Sequence, residues 1–385
     1  MLGFFGQLIT VGAHAVGLAT HATPAMHNES LTEGYLTQPA LMGAAQLGPF
    51  QLNAMLNLEG LTLERGELNA GVWGEGFADR RHPHTYLHEA VGTYEATLLG
   101  TDLSISAGRG FAPFGTDDPM VRPFVKYPAN HHLSQILERW LAAGAVRRGP
   151  VIVEAGLFTG AEPTGPEDLG DLEKLGDSWS GRLTVLPLPG LELQGSYAEV
   201  TSPENVFGGG LDHRMWNVSA RLSRSFGETT VYALVETGET AEGKNGLDLF
   251  FFETILAEAS VQRGGWQAAA RFERSQRPEE ERKADPFHTV RPATDNSIVG
   301  ITRWTSGTLH LGRDTRLGTL RLQPFIEIIR LHAEAMEEFP VHDPELFYGS
   351  SGMWSFSVGV RSTIGAWHQR MGRYGAARTQ PEHQH

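Results

Sequence analysis

The stretch MWSFSVGVRSTIGAW, Met353 to Trp367, sorts its side chains by parity. Trp354, Phe356, Val358 and Val360 are apolar, and Ile364 continues the set beyond Ser362. Ser355, Ser357, Gly359, Arg361 and Thr363 stand between them and are small or polar. A period of two marks an extended strand whose faces meet different media. Two arrangements give that pattern. A sandwich strand sets a dry core against water, whereas a transmembrane barrel strand sets lipid against a wet lumen.

The same alternation recurs along the chain. Phe50, Leu52, Ala54, Leu56 and Leu58 alternate with Gln51, Asn53, Met55, Asn57 and Glu59. Trp179, Gly181, Leu183 and Val185 alternate with Ser180, Arg182 and Thr184, and Trp216, Val218, Ala220 and Leu222 with Asn217, Ser219, Arg221 and Ser223. Trp266 to Glu273 and Leu320 to Ile328 repeat it. Tight Gly-bearing connections, such as ERGE (Glu64–Glu67), LGTD (Leu99–Asp102), SFGE (Ser225–Glu228) and QRGG (Gln262–Gly265), have the composition of hairpin turns. Long polar connections alternate with them, among them Gly110–Ser134, Gly160–Asp177, Ser202–His213, Thr240–Leu247, Arg277–Asp295 and Ala333–Gly352. Short turns on one rim and long loops on the other are the habit of membrane barrels.

Composition narrows the choice. No run of 18 apolar residues exists in the 385, so membrane-spanning helices are not expected. The chain has no cysteine, which excludes thiol catalysis, disulfides and Cys-ligated zinc. A net charge of −14 without a basic run argues against a nucleic-acid partner. The sequence therefore predicts an all-β fold: a single transmembrane antiparallel β-barrel of about 16 strands, with short periplasmic turns and long extracellular loops. The first strand is expected near Pro39–Gln46 and the barrel over 39–374. Residues 1–25 read as an export signal or a disordered N-terminus, and 375–385 as a polar tail.

In this architecture the chain resembles Gram-negative outer-membrane porins over nearly everything after Pro39. Locally, SAGRGFAPFGTDDPMVRP (Ser106–Pro123) resembles the phosphate-selective porins, where a strand ends in a similar corner. The resemblance implies an outer-membrane channel for passive diffusion of small hydrophilic solutes or ions, with no cofactor and no enzymatic step. Its partners would be outer-membrane lipid and lipopolysaccharide, the outer-membrane assembly machinery and, as is common in this architecture, two further copies in a homotrimer. It also implies a third loop, about 110–134, folded inward to narrow the pore. Arg109, Asp117, Asp118, Arg122 and Lys126 would supply charge there, with Phe111, Phe114, Phe124 and Tyr127 as anchors. Porin chains often finish on an aromatic residue; Trp367 or Tyr374 stands near that place, but the tail GAARTQPEHQH follows.

The polar parity predicts the rest of the lining: Glu154, Arg182, Glu192, Arg221, Arg271, Glu273, Arg321, Glu327 and Arg361. Their other reading is a set of mutually paired charges that hold the barrel's shape. His82, His84 and His88 suggest an alternative function, an envelope protein that captures a transition metal or another small ligand through histidine-bearing loops. No G-x-S-x-G, Walker A, G-x-G-x-x-G or H-E-x-x-H string points to an enzyme. Leu133, Ile136, Leu137 and Trp140 have helical spacing within the third loop.

Overall fold

Strands patterned at period two satisfy their backbone by pairing with chain neighbours, and in a membrane such a sheet must close on itself. The computed structural model describes residues 7–26, 28–63, 67–68, 85–116, 119–136, 138–205, 208–279, 300–366 and 370–379. The first strands are β1 (Gln7–Met26), β2 (Glu29–Leu47), β3 (Phe50–Asn57), β4 (Leu87–Leu98) and β5 (Thr101–Gly110). After a long connection come β6 (Arg139–Arg148), β7 (Val151–Phe158), β8 (Ser178–Leu188) and β9 (Leu191–Val200). The next four are β10 (Asp212–Phe226), β11 (Thr229–Lys244), β12 (Leu247–Arg263) and β13 (Trp266–Glu279). The last are β14 (Gly300–Arg313), β15 (Thr315–Leu317), β16 (Leu320–Ala335) and β17 (Gly352–Gly365). β14 and β15 both pair with β16 and form one stave interrupted at Asp314. Each stave pairs antiparallel with its neighbour, and β17 pairs with β1 from Gly12–Gly365 to Thr23–Trp354. The result is a closed barrel of 16 staves.

The side chains are inverted relative to a water-soluble core. On β17, Trp354, Phe356 and Val358 are 39%, 41% and 58% exposed, while Ser355 and Ser357 between them are 0% and 6%. Phe50 and Leu52, Trp179 and Leu183, and Trp216 and Val218 are likewise exposed. Their polar neighbours Asn53, Ser180, Arg182, Asn217 and Ser219 are buried inside. An exposed apolar surface of this extent belongs against lipid. Aromatic side chains bound it at both ends. Phe50, Phe226 and Trp266 stand at tight turns, whereas Trp179, Tyr197, Trp216 and Trp354 stand at the opposite ends of their strands. Trp179 and Tyr197 rings lie 5.5 Å apart. Two girdles flanking an aliphatic band mark the two membrane interfaces. No helix of the described residues is long and apolar enough to cross a membrane.

Four sequence expectations are corrected. The barrel begins at Gln7, not Pro39: most of the segment read as an export signal or a disordered N-terminus is β1, and Pro39–Gln46 belongs to β2. The alternation of β1 is masked because its inward Val16 and Leu18 are apolar too, packing with Val125 and Phe325 inside the barrel. The chain leaves β3 at Asn57, Glu59–Leu61 is a 3-10 turn, and β3 pairs directly with β4, so no stave stands between them and the count of 16 holds although β1 is added. Of ERGE only Glu67 is described, and residues 69–84 lie outside the described residues. Thr240–Leu247 is no long loop. β11 and β12 run on to a two-residue turn, Asn245 and Gly246, both at positive φ. Toward that turn Thr240, Ala241 and Glu242 are buried in succession on β11, which erases the period of two there, while Leu247, Leu249 and Phe251 keep an apolar outer stripe on β12. Finally, the wall ends at Gly365, and the tail folds inside: Tyr374, Ala376 and Ala377 are buried, and Tyr374 closes no strand. Trp367 lies outside the described residues.

Candidate functional site: the charged lumen

The tight turns after β2, β4, β6, β8, β10, β12 and β15 share one rim with the start of β1 and the end of β17. The connection after β5 leaves from the other rim. Its side chains Phe111, Phe114, Arg122, Phe124, Lys126 and Tyr127 are all buried. Its partners are inward-facing residues of staves all around the wall. The Gly115 N–H donates to Ser196 Oγ at 3.0 Å on β9, and Arg182 of β8 donates to the Gly115 carbonyl at 3.1 Å. On β11 the Glu236 carboxylate accepts from Thr116 Oγ1 (2.8 Å), Arg122 Nη1 (3.1 Å) and Asn130 Nδ2 (2.9 Å).

Further along, the Glu327 carboxylate of β16 accepts the backbone N–H groups of Val125 and Lys126, each at 2.9 Å, and also meets His310 Nδ1 at 3.0 Å. Glu273 of β13 accepts from the Ala129 N–H at 2.8 Å, and Arg361 of β17 donates to the Phe124 carbonyl at 2.9 Å. Irregular backbone inside a barrel must satisfy its polar groups locally, and these wall side chains do it. The helical spacing noted in the sequence yields one turn, His131–Ser134.

The predicted constriction residues fall in different places. Arg122 pairs with Glu236 and lies 3.9 Å from Glu258; Lys126 pairs with Glu67 at 3.1 Å and donates to Tyr35 Oη and the Leu68 carbonyl. Arg109 stands apart. It donates to the carbonyls of Leu87 and Leu169 and to Thr85 Oγ1, fastening the start of β4 to the connection after β7. Asp117 and Asp118 lie outside the described residues.

Of the predicted lining, Glu154 and Arg182 form a bidentate pair, with both contacts at 2.7 Å. Arg271 pairs with Glu273 at 2.9 Å and lies 4.6 Å over the Phe124 ring. Arg221 lies 5.4 Å from the Tyr232 ring. Glu192 accepts from Arg370 and Arg373 of the C-terminal segment. Arg321 has the inward parity but sits exposed at the rim, opposite Arg316. The lining charges are thus largely paired, with one another or with chain inside the lumen.

The metal-capture residues do not converge on what is described. His82 and His84 lie outside the described residues, and His88 is buried against the Glu138 carboxylate. Glu204, His213 and Glu242, at the long-loop rim, bring one ligand atom each within 4.8 Å of one another.

Sequence reading missed Glu236, Glu258, Arg370 and Arg373. Glu236 sits on a face where Leu234 is also inward, which blurs the alternation. Arg370 and Arg373 follow the last strand, where no periodicity marks a position.

No protein-family model and no curated protein matches the sequence. Solved structures do. The anion-selective porin from Comamonas acidovorans aligns over 93% of this chain and 100% of its own, with a TM-score of 0.51 at 12% identity. In-vitro folded OmpT, an outer membrane protein of Vibrio cholerae, aligns over 94% and 99%, with a TM-score of 0.52 at 9% identity. At such identities the likeness is one of fold, and that fold is the closed 16-stranded antiparallel barrel of the outer-membrane porins.

Proposed function

We propose that the chain is an outer-membrane channel for passive diffusion of small hydrophilic solutes or ions, and that segment 110–134 is its constriction. The observation that carries this reading is the inserted segment itself, tied by its backbone to β8, β9, β13, β16 and β17 across a lumen lined with both signs of charge. Fixed charges within a low-dielectric wall set the local potential and so the permeant ion. Residence in outer-membrane lipid with lipopolysaccharide beside the long loops, insertion by the assembly machinery and a homotrimeric state belong to the same proposal. Chemical cross-linking in native membranes reads the trimer.

Single-channel recording of the refolded protein tests the reading, with the reversal potential taken across a salt gradient. A steady ohmic current is expected. Silence of the folded, inserted barrel, both at full length and without the residues after Gln369, contradicts it. Arg122 and Lys126 oppose Glu236 and Glu67, so Arg122→Gln with Lys126→Gln leaves two carboxylates unbalanced. The reversal potential should move toward the cation's equilibrium potential. Unchanged selectivity removes segment 110–134 as the selecting element.

Phosphate selectivity, raised by the resemblance of Ser106–Pro123, needs a cation that phosphate can reach in the constriction, and Arg122 and Lys126 are each engaged by a carboxylate. Block of the chloride current by millimolar phosphate would favour it. A second reading, a barrel that captures a ligand without conducting, draws support from the C-terminal segment that also lies inside. A folded barrel without current, together with binding of a transition metal to the full chain, is its signature.

A further inference from the structure

β17 hands over to a short connection at the tight-turn rim, where the Ala366 N–H donates to the Val11 carbonyl at 2.9 Å. From Met371 the chain is inside the barrel. Met371, Arg373, Tyr374, Ala376 and Ala377 are all nine-tenths or more buried. Arg373 reaches Glu192 at 2.7 Å, Thr184 Oγ1 at 2.8 Å and Glu154 at 3.4 Å, and Arg370 forks onto the Glu192 carboxylate at 2.9 and 3.1 Å. The Ala376 N–H donates to Ser104 Oγ at 3.0 Å, and Arg378 donates to Asn53 Oδ1 at 2.9 Å. The segment thereby touches β3, β5, β7, β8 and β9. It also meets the inserted third loop: the Phe111 N–H donates to Tyr374 Oη at 3.1 Å, and Arg182 holds the carbonyls of Gly115 and Gly372 in one guanidinium.

The fit is close at one point. Gly375 has φ of 52°, and a Cβ there would stand 2.4 Å from Ser104 Cβ and 2.9 Å from Thr93 Cγ2. Only glycine takes that conformation without strain and lets the backbone lie on the wall. A cavity of about 1260 Å³ opens on the tight-turn side, lined by Arg147, Glu192, Arg221, Arg370, Arg378 and Thr379 among others. The third loop and the C-terminal segment are therefore stacked in one lumen, with the C-terminal segment on the tight-turn side.

We infer that residues 370–379 form a resident plug that closes part of the lumen below the third loop and regulates the channel by withdrawing toward the tight-turn rim. The inference rests on the channel reading above. The plug is held by ion pairs, hydrogen bonds and the packing of Met371, Tyr374, Ala376 and Ala377, all of them side contacts to a wall that is itself hydrogen-bonded strand to strand, so the wall can stay closed when the plug leaves. Withdrawal removes Arg370, Arg373 and Arg378 from the lumen. Glu192 then loses Arg370 and Arg373 and keeps Arg221 opposite it on β10, whereas Glu154 keeps Arg182. The opened channel is wider and more cation-selective than the closed one.

Three variants test it in planar bilayers. A chain ending at Gln369 should conduct several-fold more than the full chain, with a reversal potential displaced toward the cation. Gly375→Val, which blocks the seat without removing any charge, should show the same larger current. Ser104→Cys with Ala376→Cys, in a chain that has no other cysteine, should hold the low conductance when oxidised and rise on reduction. The third variant keeps the full chain and so stands even if shortening impairs folding. Equal conductance for full-length, shortened and reduced or oxidised forms overturns the plug while leaving the channel intact. Absence of current from all of them overturns both.

Discussion

Val358→Arg should cost the barrel about 2–4 kcal/mol and sharply lower the yield of folded protein in lipid, because the guanidinium would sit on the lipid face near mid-membrane. Val358 is 58% exposed, between Trp354 of one girdle and the end of β17 at the other rim, with Ile326 beside it on β16. In water such a position is a tolerant one, and a surface charge there would change stability by at most about 0.5 kcal/mol. Leu317→Arg provides the depth control. Leu317 is still more exposed, at 71%, but lies at the tight turn into β16, where an arginine reaches the interface and should cost only about 0–1 kcal/mol. Urea unfolding of both variants in lipid vesicles reads the difference. Two equal, small effects would mean that the exposed stripe does not face hydrocarbon.

Glu236→Ala should release the third loop. This one carboxylate holds Thr116, Arg122 and Asn130, and its removal leaves Arg122 buried with Thr116 Oγ1 at 2.7 Å and Glu258 at 3.9 Å. Breaking a buried pair typically costs about 3–5 kcal/mol, and the remaining Glu258 puts this case toward the lower end. Because the barrel's own ladder is untouched, the loss should appear as loop undocking and not as unfolding. The open-channel current should become noisier, and trypsin should cut after Lys126, whose side chain and backbone are buried in the intact protein. A quiet current with Lys126 still protected would show that Glu236 is not a principal anchor of the loop.

The wall was legible in the sequence because lipid and lumen impose opposite demands on adjacent residues, as at Trp354 and Ser355 or Trp216 and Asn217. Legibility failed where something other than water filled the lumen. β1 packs Val16 and Leu18 against Val125, so the middle of its inner face, between His14 and Thr20, is apolar and its alternation disappears. The end of β11 failed for a related reason, because Thr240, Ala241 and Glu242 are buried in succession and no period of two survives beside the turn. Glu154, Arg182, Glu273 and Glu327 lie buried on the inner face, and their partners were not foreseeable. Glu154 meets Arg373 across 219 residues of sequence, and Glu327 meets backbone N–H groups that carry no side-chain signal. The segment after the last strand reads as polar and terminal, and nothing in RMGRYG (Arg370–Gly375) shows that Arg370 and Arg373 answer carboxylates on β7 and β9.

The central claim is that the exposed stripes face lipid and the polar stripes face the lumen. Site-directed spin labelling of β17 in lipid vesicles tests it most directly, because each cysteine introduced is the sole one in the chain. Labels at 354, 356, 358 and 360 should be accessible to oxygen, which partitions into hydrocarbon. They should be shielded from a water-soluble nickel chelate, with the contrast largest at 358. Labels at 359, 361 and 363 should show the reverse near the tight-turn rim. Equal access of both reagents to both parities, or nickel access at 358, would contradict the account.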